Sequence, residues 1–338
     1  MNSLFKKLTS LFFLFIALLP LSCKQEPVYK KIQGETQGTT YHITYQSHPR
    51  NNFQPEIEKL LADFDLSLSA YVQESILSRV NRNETNVMLD DYFITVFNKS
   101  KEIYTLTDGA FDITVAPLVN AWGFGPDPAQ NADSALIDSL RQYVGMPLVK
   151  VEGRTLIKNH PAVKIDVNAI AQGYSADVIA DFLVSKRVVN LMVEIGGEIV
   201  TKGLNPKGEE WKIGVDKPTD NNFSPGQNLQ AILKISGKAL ATSGNYRKFY
   251  EKDGQKYVHS IDPHTGYPVV SNLLSTTVVA SDCMTADAMA TAFMVMGLEN
   301  SIAWLTKHPE LDAFLIYADE DGNYKTFITE GMKNSMVQ

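Results

Sequence analysis

Cysteine is scarce in this chain, whose 338 residues include only Cys23 and Cys283. If Cys23 carries a lipid, as argued below, Cys283 has no partner within the chain, and no disulfide can hold the fold. Stability must then come from the apolar core and from ligands. The chain is 44% hydrophobic and can bury a sizeable core, as one large domain or two modest ones. We interpret Cys283 as a buried helix residue rather than as a nucleophile.

An excess of basic residues is also missing, as are two common nucleotide-binding motifs. Lys and Arg number 31 against 38 Asp and Glu, which gives a formal net charge of −7. This balance argues against a nucleic-acid-binding protein, which usually presents a basic face. The sequence has no G-x-G-x-x-G and no Walker A loop, so a Rossmann or P-loop nucleotide site is not expected. Beyond residue 31 we find no long linker, low-complexity tract or clear repeat.

The N-terminus has the features of an export signal. Lys6 and Lys7 form a short positive region, and residues 8–19 form an apolar run of 12 residues. Such a run is short for a membrane span and typical of a signal peptide. We therefore expect an exported protein.

The residues after this run suggest lipidation. Small Ser22 precedes Cys23, which resembles a bacterial lipobox, although Pro20 stands where Leu is commonest. We predict a lipoprotein signal peptide at residues 1–22, lipidation of Cys23 and a tether over residues 23–33. The protein would then lie in the bacterial cell envelope, anchored by lipid to a membrane and facing the periplasm or the exterior. The alternative is a plain signal peptide with an incidental cysteine.

Hydrophobic periodicity predicts interleaved helices and strands. Helices are predicted at residues 54–68, 90–106, 133–143, 169–185, 282–296 and 301–307. Strands are predicted at residues 40–46, around 149, 156 and 163, and at 188–195, 211–215, 229–235, 239–242, 257–261, 274–280, 311–317 and 324–328. Because helices and strands do not follow a regular βαβ alternation, the fold class is α+β.

One candidate site lies on the helix predicted after residue 282. Asp287 and Thr291 are four residues apart and share one helix face, where both present oxygen, the ligand that Mg²⁺ prefers. The alanines around them keep the surface low enough for a bulky ligand to approach. The alternative is a tightly packed helix in which Thr291 bonds to its own backbone and Asp287 interacts with the helix dipole.

A second candidate is the predicted strand-to-helix junction at residues 165–174. Asp166 ends the strand and Asn168 fits a helix N-cap, so the first N–H groups of the helix could bind phosphate. Asp166 could equally be only a capping residue. Gly173 lies inside the predicted helix, where it costs roughly 1 kcal/mol relative to Ala. Close approach by backbone or ligand would explain that glycine, as would packing of the helix on a sheet.

Three further segments are candidates for binding. His259 begins a Pro/Gly turn at residues 259–268 and could titrate near neutrality, although a lone histidine is more often structural. A polar turn at residues 242–246 follows a strand. Aromatic residues beside glycines at residues 108–125, and Tyr71, could form a slot for a planar ring or simply a hydrophobic corner.

Taken together, these segments resemble the ApbE family, the FAD:protein FMN transferases, from about residue 34 to residue 327. The landmarks, in order, are residues 38–41, 78–81, 108–114, 166–174, 194–198, 242–246, 259–268 and 286–291. The resemblance implies one compact, T-fold-like α+β domain with mixed sheets and packed helices over residues 34–330. It also implies Mg²⁺-dependent transfer of FMN from FAD to a Thr or Ser of a target protein, with release of AMP.

The resemblance also implies roles for individual residues. The metal ligands would be Asp287, Thr291 and the backbone carbonyl of Ala169. The positions that match FAD contacts are Tyr71, Ala110, Phe111, Asp112, Asp166, Gln172, His259 and Ile261. His259 or a nearby carboxylate would accept the proton of the acceptor hydroxyl. The chain departs from the family at Gln172, where Lys is frequent, and at Gln37, where Met is frequent.

The acceptor must come from another protein, because the family's acceptor pattern, Asp-x-x-(Ser/Thr)-Gly-Ala-(Ser/Thr), is missing from this sequence. We therefore expect an exported or membrane-bound target. Three alternatives stay open: an FAD pyrophosphatase that uses water as acceptor, a non-catalytic flavin-binding lipoprotein, and a purely structural lipoprotein.

Overall fold

The computed structural model describes residues 26–128, 130, 132–218, 228–245, 249–252 and 255–337. The predicted signal peptide, the lipidation site Cys23 and Tyr246 of the polar turn lie outside the described residues. The helices in the described part of the chain are α1 (Gln54–Leu68), α2 (Ile76–Asn81), α3 (Asp91–Leu106), α4 (Ala116–Ala121), α5 (Ser134–Arg141), α6 (Ala171–Ser185), α7 (Cys283–Lys307) and α8 (Glu330–Ser335). Short 3-10 turns occupy Ile113–Val115 and Met146–Leu148.

The strands, in chain order, are β1 (Val28–Thr36), β2 (Thr39–Ser47), β3 (Val149–Glu152), β4 (Thr155–Lys158), β5 (Leu191–Ile195), β6 (Glu198–Lys202), β7 (Trp211–Asp216), β8 (Leu229–Ile235), β9 (Ala239–Gly244), β10 (Phe249–Lys252), β11 (Gln255–Val258), β12 (Leu273–Ala280), β13 (Asp312–Ala318) and β14 (Tyr324–Ile328). Eight of them form one sheet in the order β1-β2-β5-β6-β9-β12-β13-β14. Every neighbouring pair in this sheet is antiparallel. The α+β fold class is therefore confirmed.

Both faces of the large sheet are covered, and β12 shows why its sequence is so rich in β-branched residues. Successive side chains of a strand point to opposite faces. Val278 accordingly packs in the cluster that contains α7, whereas Val279 packs in the cluster formed with the β7–β8 hairpin. The neighbouring strand β13 alternates in the same way, with Leu315 in the first cluster and Phe314 in the second.

Helices α6 and α7 lie side by side on one face of this sheet and form its core layer. Ile179 and Leu183 of α6 pack in one cluster with Ile43 of β2 and Val193 of β5. The small residues of α7 are buried almost all round, as expected for a helix enclosed on several sides. Helix α7 is also, among the described residues, the one helix long and apolar enough to cross a membrane, but 50% of its most apolar window is buried inside the fold.

The structure corrects two expectations about the strands. Residues 28–33 are not tether, because they form the first part of β1 and pair with β2 from Val28 to Thr36. The segment is an edge strand that exposes Lys31 and Gln33, so its polar composition resembles that of a linker. The strand predicted around Val163 is also wrong, since no strand is present there, although Val163 itself is buried.

The two helices predicted after residue 282 form one element that bends sharply. Gly297, with φ 77° and ψ 175°, interrupts the helical geometry of α7. The hydroxyl of Ser301 lies within donor distance of two carbonyl oxygens at and before the bend, those of Gly297 at 2.6 Å and Phe293 at 3.1 Å. Glycine tolerates this positive φ without steric cost.

Candidate active site

The junction before α6 is longer than the sequence predicts. The helix begins at Ala171, and its N-cap residue, Ile170, makes no side-chain capping bond. The prediction that Asn168 caps the helix is therefore wrong. Instead, the Asp166 carboxylate accepts the Asn168 N–H at 2.8 Å and closes a turn before the helix. The N–H of Ala171 donates to the Val167 carbonyl at 2.9 Å, so the turn leads directly into the helix.

The side chain of Asn81, at the end of α2, holds the residue that precedes Asp166. Its Nδ2 donates to the Ile165 carbonyl oxygen at 2.8 Å, and its Oδ1 accepts the Ile165 N–H at 2.8 Å. One side chain thus satisfies both backbone polar groups of a buried residue, as a neighbouring strand would. These two bonds fix the position at which the junction starts.

Helix α7 approaches α6 so closely at Gly173 that no side chain fits there. A Cβ atom at this position would lie 2.4 Å from the carbonyl oxygen of Cys283 and 2.8 Å from the Cβ of Asp287. The Gly173 N–H donates to the Asp287 Oδ2 at 3.0 Å. Close approach by the backbone of another helix is therefore the reason for the glycine, and Asp287 lies against the first turn of α6.

The carboxyl group of Asp287 is buried, with 6% of the residue exposed. Burial raises its pKa well above the ordinary value, and the charge of Asp177 raises it further, whereas the bond from Gly173 lowers it. No basic side chain contributes to this shift. A buried carboxylate without a basic partner is a position where a bound cation would stabilise the charged form.

A second buried carboxyl group, Asp177 of α6, contacts the start of α7. Its Oδ1 accepts the Cys283 N–H at 2.9 Å and its Oδ2 accepts the Met284 N–H at 2.8 Å. Burial raises the pKa of Asp177 to about 7, and the nearby carboxylates of Asp282 and Asp181 add to the rise against the two N–H bonds. The sequence gives no sign of this contact, because Asp177 lies 106 and 107 residues away from its partners.

These two acids give an expected pH dependence of stability in metal-free buffer. Each has a higher pKa in the folded chain than in the unfolded chain, so the folded state binds protons more tightly. The stability that they contribute is fully present below about pH 4 and is lost as the pH rises through about 7. We expect Asp287→Asn, which cannot ionise, to melt at a progressively higher temperature than wild type as the pH rises from 5 to 8. A melting-temperature difference that stays constant across this range would contradict the expectation.

Thr291 presents its hydroxyl to another side chain rather than to its own helix. Its Oγ1 lies 3.0 Å from the Oγ of Ser243, at the end of β9. Thr291 is only partly buried, whereas Asp287 one turn earlier is buried. The predicted alternative of a hydroxyl bonded to its own backbone is not what the structure shows, and the polar turn after β9 adjoins the Asp287 and Thr291 face.

The oxygen atoms available here suit a hard divalent ion. Within the described ranges, no group of three or more His, Cys, Asp and Glu side chains could hold a metal. Hydroxyl and carbonyl oxygens, which Mg²⁺ accepts, could complete a cation site around a single carboxylate in this part of the chain. The resemblance implies such a set in the Asp287 carboxylate, the Thr291 hydroxyl and the Ala169 carbonyl. The bond from Gly173 to Asp287 brings α7 against the helix turn that follows Ala169.

Two of the segments predicted to bind a ligand, residues 108–125 and residues 259–268, contact each other. The indole nitrogen of Trp122 donates to the Gly266 carbonyl oxygen at 2.9 Å. His264 Nε2 lies 2.9 Å from the carbonyl oxygen of Asp108. These two bonds hold the turn at residues 259–268 against the aromatic segment at residues 108–125. We call the region where the two segments meet the aromatic corner.

His259 lies at the start of that turn and is partly buried. Its ring is edge-on to Phe124, with 6.5 Å between ring centroids. The following residue, Ser260, donates to the Asn245 side chain at 3.2 Å, which links the turn to the end of β9. His259 therefore lies between the aromatic corner and the Ser243 segment that adjoins Thr291.

Tyr71 is 66% exposed and lies within electrostatic reach of the junction. Partial desolvation raises the pKa of its phenol, and the carboxylate of Asp166 raises it further. An exposed ring near this carboxylate is available to a planar ligand.

The segment at residues 110–112 has a different environment, because its side chains face inward. Phe111 is 3% exposed and belongs to the main core cluster. The Asp112 carboxylate accepts the Thr114 N–H and hydroxyl at 2.7 and 2.6 Å, and the Met146 N–H at 3.2 Å. Burial raises the pKa of Asp112 against these bonds. A ligand can contact this segment most readily through backbone atoms.

Ile261 is likewise enclosed, with 5% exposure, in a small cluster with Leu118, Ala121 and Ile137. Its backbone forms a bridge with Pro268 that closes the turn beginning at His259. The predicted ligand contact at Ile261 is therefore also more accessible to the backbone than to the side chain.

Two glutamines lie at the same N-terminal end of α6, near the β1–β2 and β5–β6 hairpins. Gln37 has φ 51° in the turn after β1, and its Oε1 lies 3.4 Å from the Ser175 hydroxyl. A Cβ atom at Gly196 would lie 2.9 Å from the Gln172 Nε2. The two positions at which the resemblance implies a different residue, Gln37 and Gln172, therefore both lie at the first turns of α6, Gln37 from the β1–β2 turn and Gln172 on the helix itself.

Comparison with known proteins agrees with this architecture. Residues 37–315 match the ApbE family. A FAD:protein FMN transferase of Vibrio cholerae serotype O1 is 37% identical over 324 residues, which is 94% of this chain and 95% of the relative. A FAD:protein FMN transferase of Escherichia coli K12 is 31% identical over 340 residues, with 95% of both chains covered.

Solved structures give the same result. The flavin transferase ApbE from Vibrio cholerae superposes with a TM-score of 0.82 at 36% identity, over 91% of this chain and 99% of that chain. The apo flavinyl transferase ApbE of Pseudomonas stutzeri superposes with a TM-score of 0.81 at 29% identity, over 92% and 97% of the two chains. With a match over most of its length and relatives covered almost from end to end, this chain belongs to the ApbE family.

Proposed function

We propose that this chain transfers FMN from FAD to a Thr or Ser hydroxyl of another protein, with release of AMP and with Mg²⁺ as the metal. The observation that carries the proposal is the buried Asp287 carboxylate, which lies against the first turn of α6 without a basic partner contributing to its pKa. The names of the curated relatives, FAD:protein FMN transferase, support the same reaction.

The proposed reaction exchanges one phosphorus–oxygen bond for another. The acceptor oxygen forms a bond to the phosphorus of the FMN half of FAD, and the bond from that phosphorus to the bridging oxygen breaks. The bridging oxygen leaves with AMP, and the acceptor gives up its proton. The chain itself needs no nucleophile, which agrees with a site built from acids, hydroxyls and one histidine.

The chain's residues have separate parts in this reaction. Asp287, Thr291 and the Ala169 carbonyl would hold Mg²⁺, which would neutralise charge on the pyrophosphate. Tyr71 presents an exposed ring beside Asp166 for the flavin. We assign proton acceptance to His259, because it is partly buried and adjoins the corner that leads to Ser243 and Thr291.

We infer the location of the enzyme from the features of its N-terminus. With Cys23 lipidated after removal of residues 1–22, the domain would lie at a membrane of the cell envelope, where exported or membrane-bound targets are within reach. The chain carries no acceptor pattern of its own, so the target is a separate protein. Mass spectrometry of the mature protein for an N-terminal acylated cysteine tests this location.

The test of the function uses the full-length chain with FAD, Mg²⁺ and an exported domain that carries the Asp-x-x-(Ser/Thr)-Gly-Ala-(Ser/Thr) pattern. We expect a flavin-fluorescent band at the mass of the acceptor on a denaturing gel, together with an equal amount of AMP. The matched control is the same acceptor with its reactive Thr changed to Val, which should stay dark. AMP and free FMN without a labelled band would show a pyrophosphatase instead, and intact FAD would show a flavin-binding protein.

A further inference from the structure

Helices α6 and α7 are joined by reciprocal hydrogen bonds, in which a carboxylate of each helix accepts backbone N–H groups of the other. Asp287 on α7 accepts an N–H from Gly173 near the start of α6. Asp177, one turn further along α6, accepts two N–H groups at the start of α7, those of Cys283 and Met284. The contact between them is at its tightest at Gly173, where a Cβ would lie 2.4 Å from the Cys283 carbonyl oxygen.

Capping alone does not explain Asp177, because α7 already has a cap of its own. The Asp282 carboxylate accepts the Thr285 N–H at 2.8 Å, in the usual N-cap arrangement. That cap leaves the first two N–H groups of α7, which side chains, water or ligands can satisfy. Here a second carboxylate from another helix accepts both of them, and its burial next to the charges of Asp282 and Asp181 is unfavourable.

The bonds of Asp177 fix how far α7 extends along α6. Cys283 and Met284 come four and three residues before Asp287, so they lie about one turn before it on the same helix. A shift of the helix start would therefore move the Asp287 carboxylate relative to the junction that precedes α6. The two N–H groups that bond to Asp177 are therefore connected to Asp287, the proposed metal ligand, by a single rigid turn of helix.

We propose that Asp177 is a positioning residue for the metal site: its carboxylate sets the register of α7 against α6 and so places Asp287 opposite the Ala169 carbonyl. Asp177 acts through Asp287 and does not touch the ion. This inference rests on the proposed function, in which Asp287, Thr291 and Ala169 hold Mg²⁺. Partners that orient metal ligands typically change metal affinity by about 10- to 100-fold when they are replaced.

The test compares two replacements with a matched charge control. Asp177→Ala removes both acceptors, and Asp177→Asn keeps one acceptor while placing an N–H group against the other donor. Asp181→Asn removes one negative charge from the next turn of α6, where Asp181 is exposed and its side chain lies 3.8 Å from Lys202. The control therefore changes the local charge without changing the bonds to α7.

For each full-length variant, Mg²⁺ binding is measured by calorimetry, the exchange of the Cys283 and Met284 amides by mass spectrometry, and the melting temperature by circular dichroism. We expect both Asp177 variants to bind Mg²⁺ about tenfold or more weakly at a temperature where they are folded, with faster exchange at the two amides, and Asp181→Asn to stay within about threefold of wild type.

If the Asp177 variants bind Mg²⁺ as tightly as wild type while their amides exchange faster, Asp177 is a purely structural cap. That result would overturn this inference but leave the proposed function standing. An equal loss in Asp181→Asn would show a charge effect and also overturn the inference. If wild type itself binds no Mg²⁺, the proposed metal site fails, and this inference fails with it.

Discussion

Asp287→Ala is expected to remove FMN transfer to the acceptor, with a loss of at least about 10³-fold, while the fold survives. The variant lacks the carboxylate on which the proposed metal site depends, and loss of one strong electrostatic contact to a reacting group costs about this much. The fold should tolerate the change, because in metal-free protein the buried carboxylate is unfavourable, as its raised pKa indicates.

The measurement is the intensity of the flavin-fluorescent acceptor band, with melting temperature as the readout of folding. Asp287→Asn is the matched variant, since its amide oxygen can still accept the Gly173 N–H but carries no charge. We expect it to be as inactive as the alanine variant and to melt at or above the wild-type temperature near pH 8. An unchanged band in either variant would remove Asp287 from the metal site.

Gly173→Ala is expected both to destabilise the fold and to impair FMN transfer. In most helices the substitution would stabilise the fold by roughly 1 kcal/mol. Here the added methyl group would lie 2.4 Å from the backbone carbonyl of Cys283, which cannot move without moving α7. We expect a net loss of roughly 1–3 kcal/mol in the free energy of unfolding and a large loss of transfer, because α7 carries Asp287 and Thr291.

Urea unfolding and the acceptor-labelling assay measure the two effects of Gly173→Ala. Asp181→Ala, on an exposed position of the same helix, is the control and should change stability by no more than about 0.5 kcal/mol. A Gly173→Ala chain that is more stable than wild type would show that the two helices are not held as tightly as their contact distance implies.

The sequence predicted most of the elements that have a strong hydrophobic period. Helix α1 occupies Gln54–Leu68 and strand β8 occupies Leu229–Ile235, as their apolar spacing indicated. Strand β1 was mistaken for tether because an edge strand has one unpaired side and tolerates polar residues. Its identity depends on pairing with β2, which no local pattern in residues 28–33 shows.

For the candidate site too, the sequence predicted some features and missed others. The spacing of Asp287 and Thr291 indicated a shared face, and Gly173 indicated a close approach, but neither showed what lay opposite. Asn81 and Asp177 were missed as contacts because their partners are 84 or more residues away and are backbone groups, which carry no sequence signal. Such contacts become visible only when the tertiary structure is known.

If Cys23 is lipidated as proposed, the position of β1 limits where the enzyme can work. Strand β1 begins at Val28 and pairs with β2 from its first residue, so only residues 23–27 are left to connect the sheet to a lipid on Cys23. Five residues span about 18 Å when fully extended. A domain anchored through so short a connection would stay within a thin layer above the bilayer surface. The acceptor threonine or serine would then have to reach the active site within that layer.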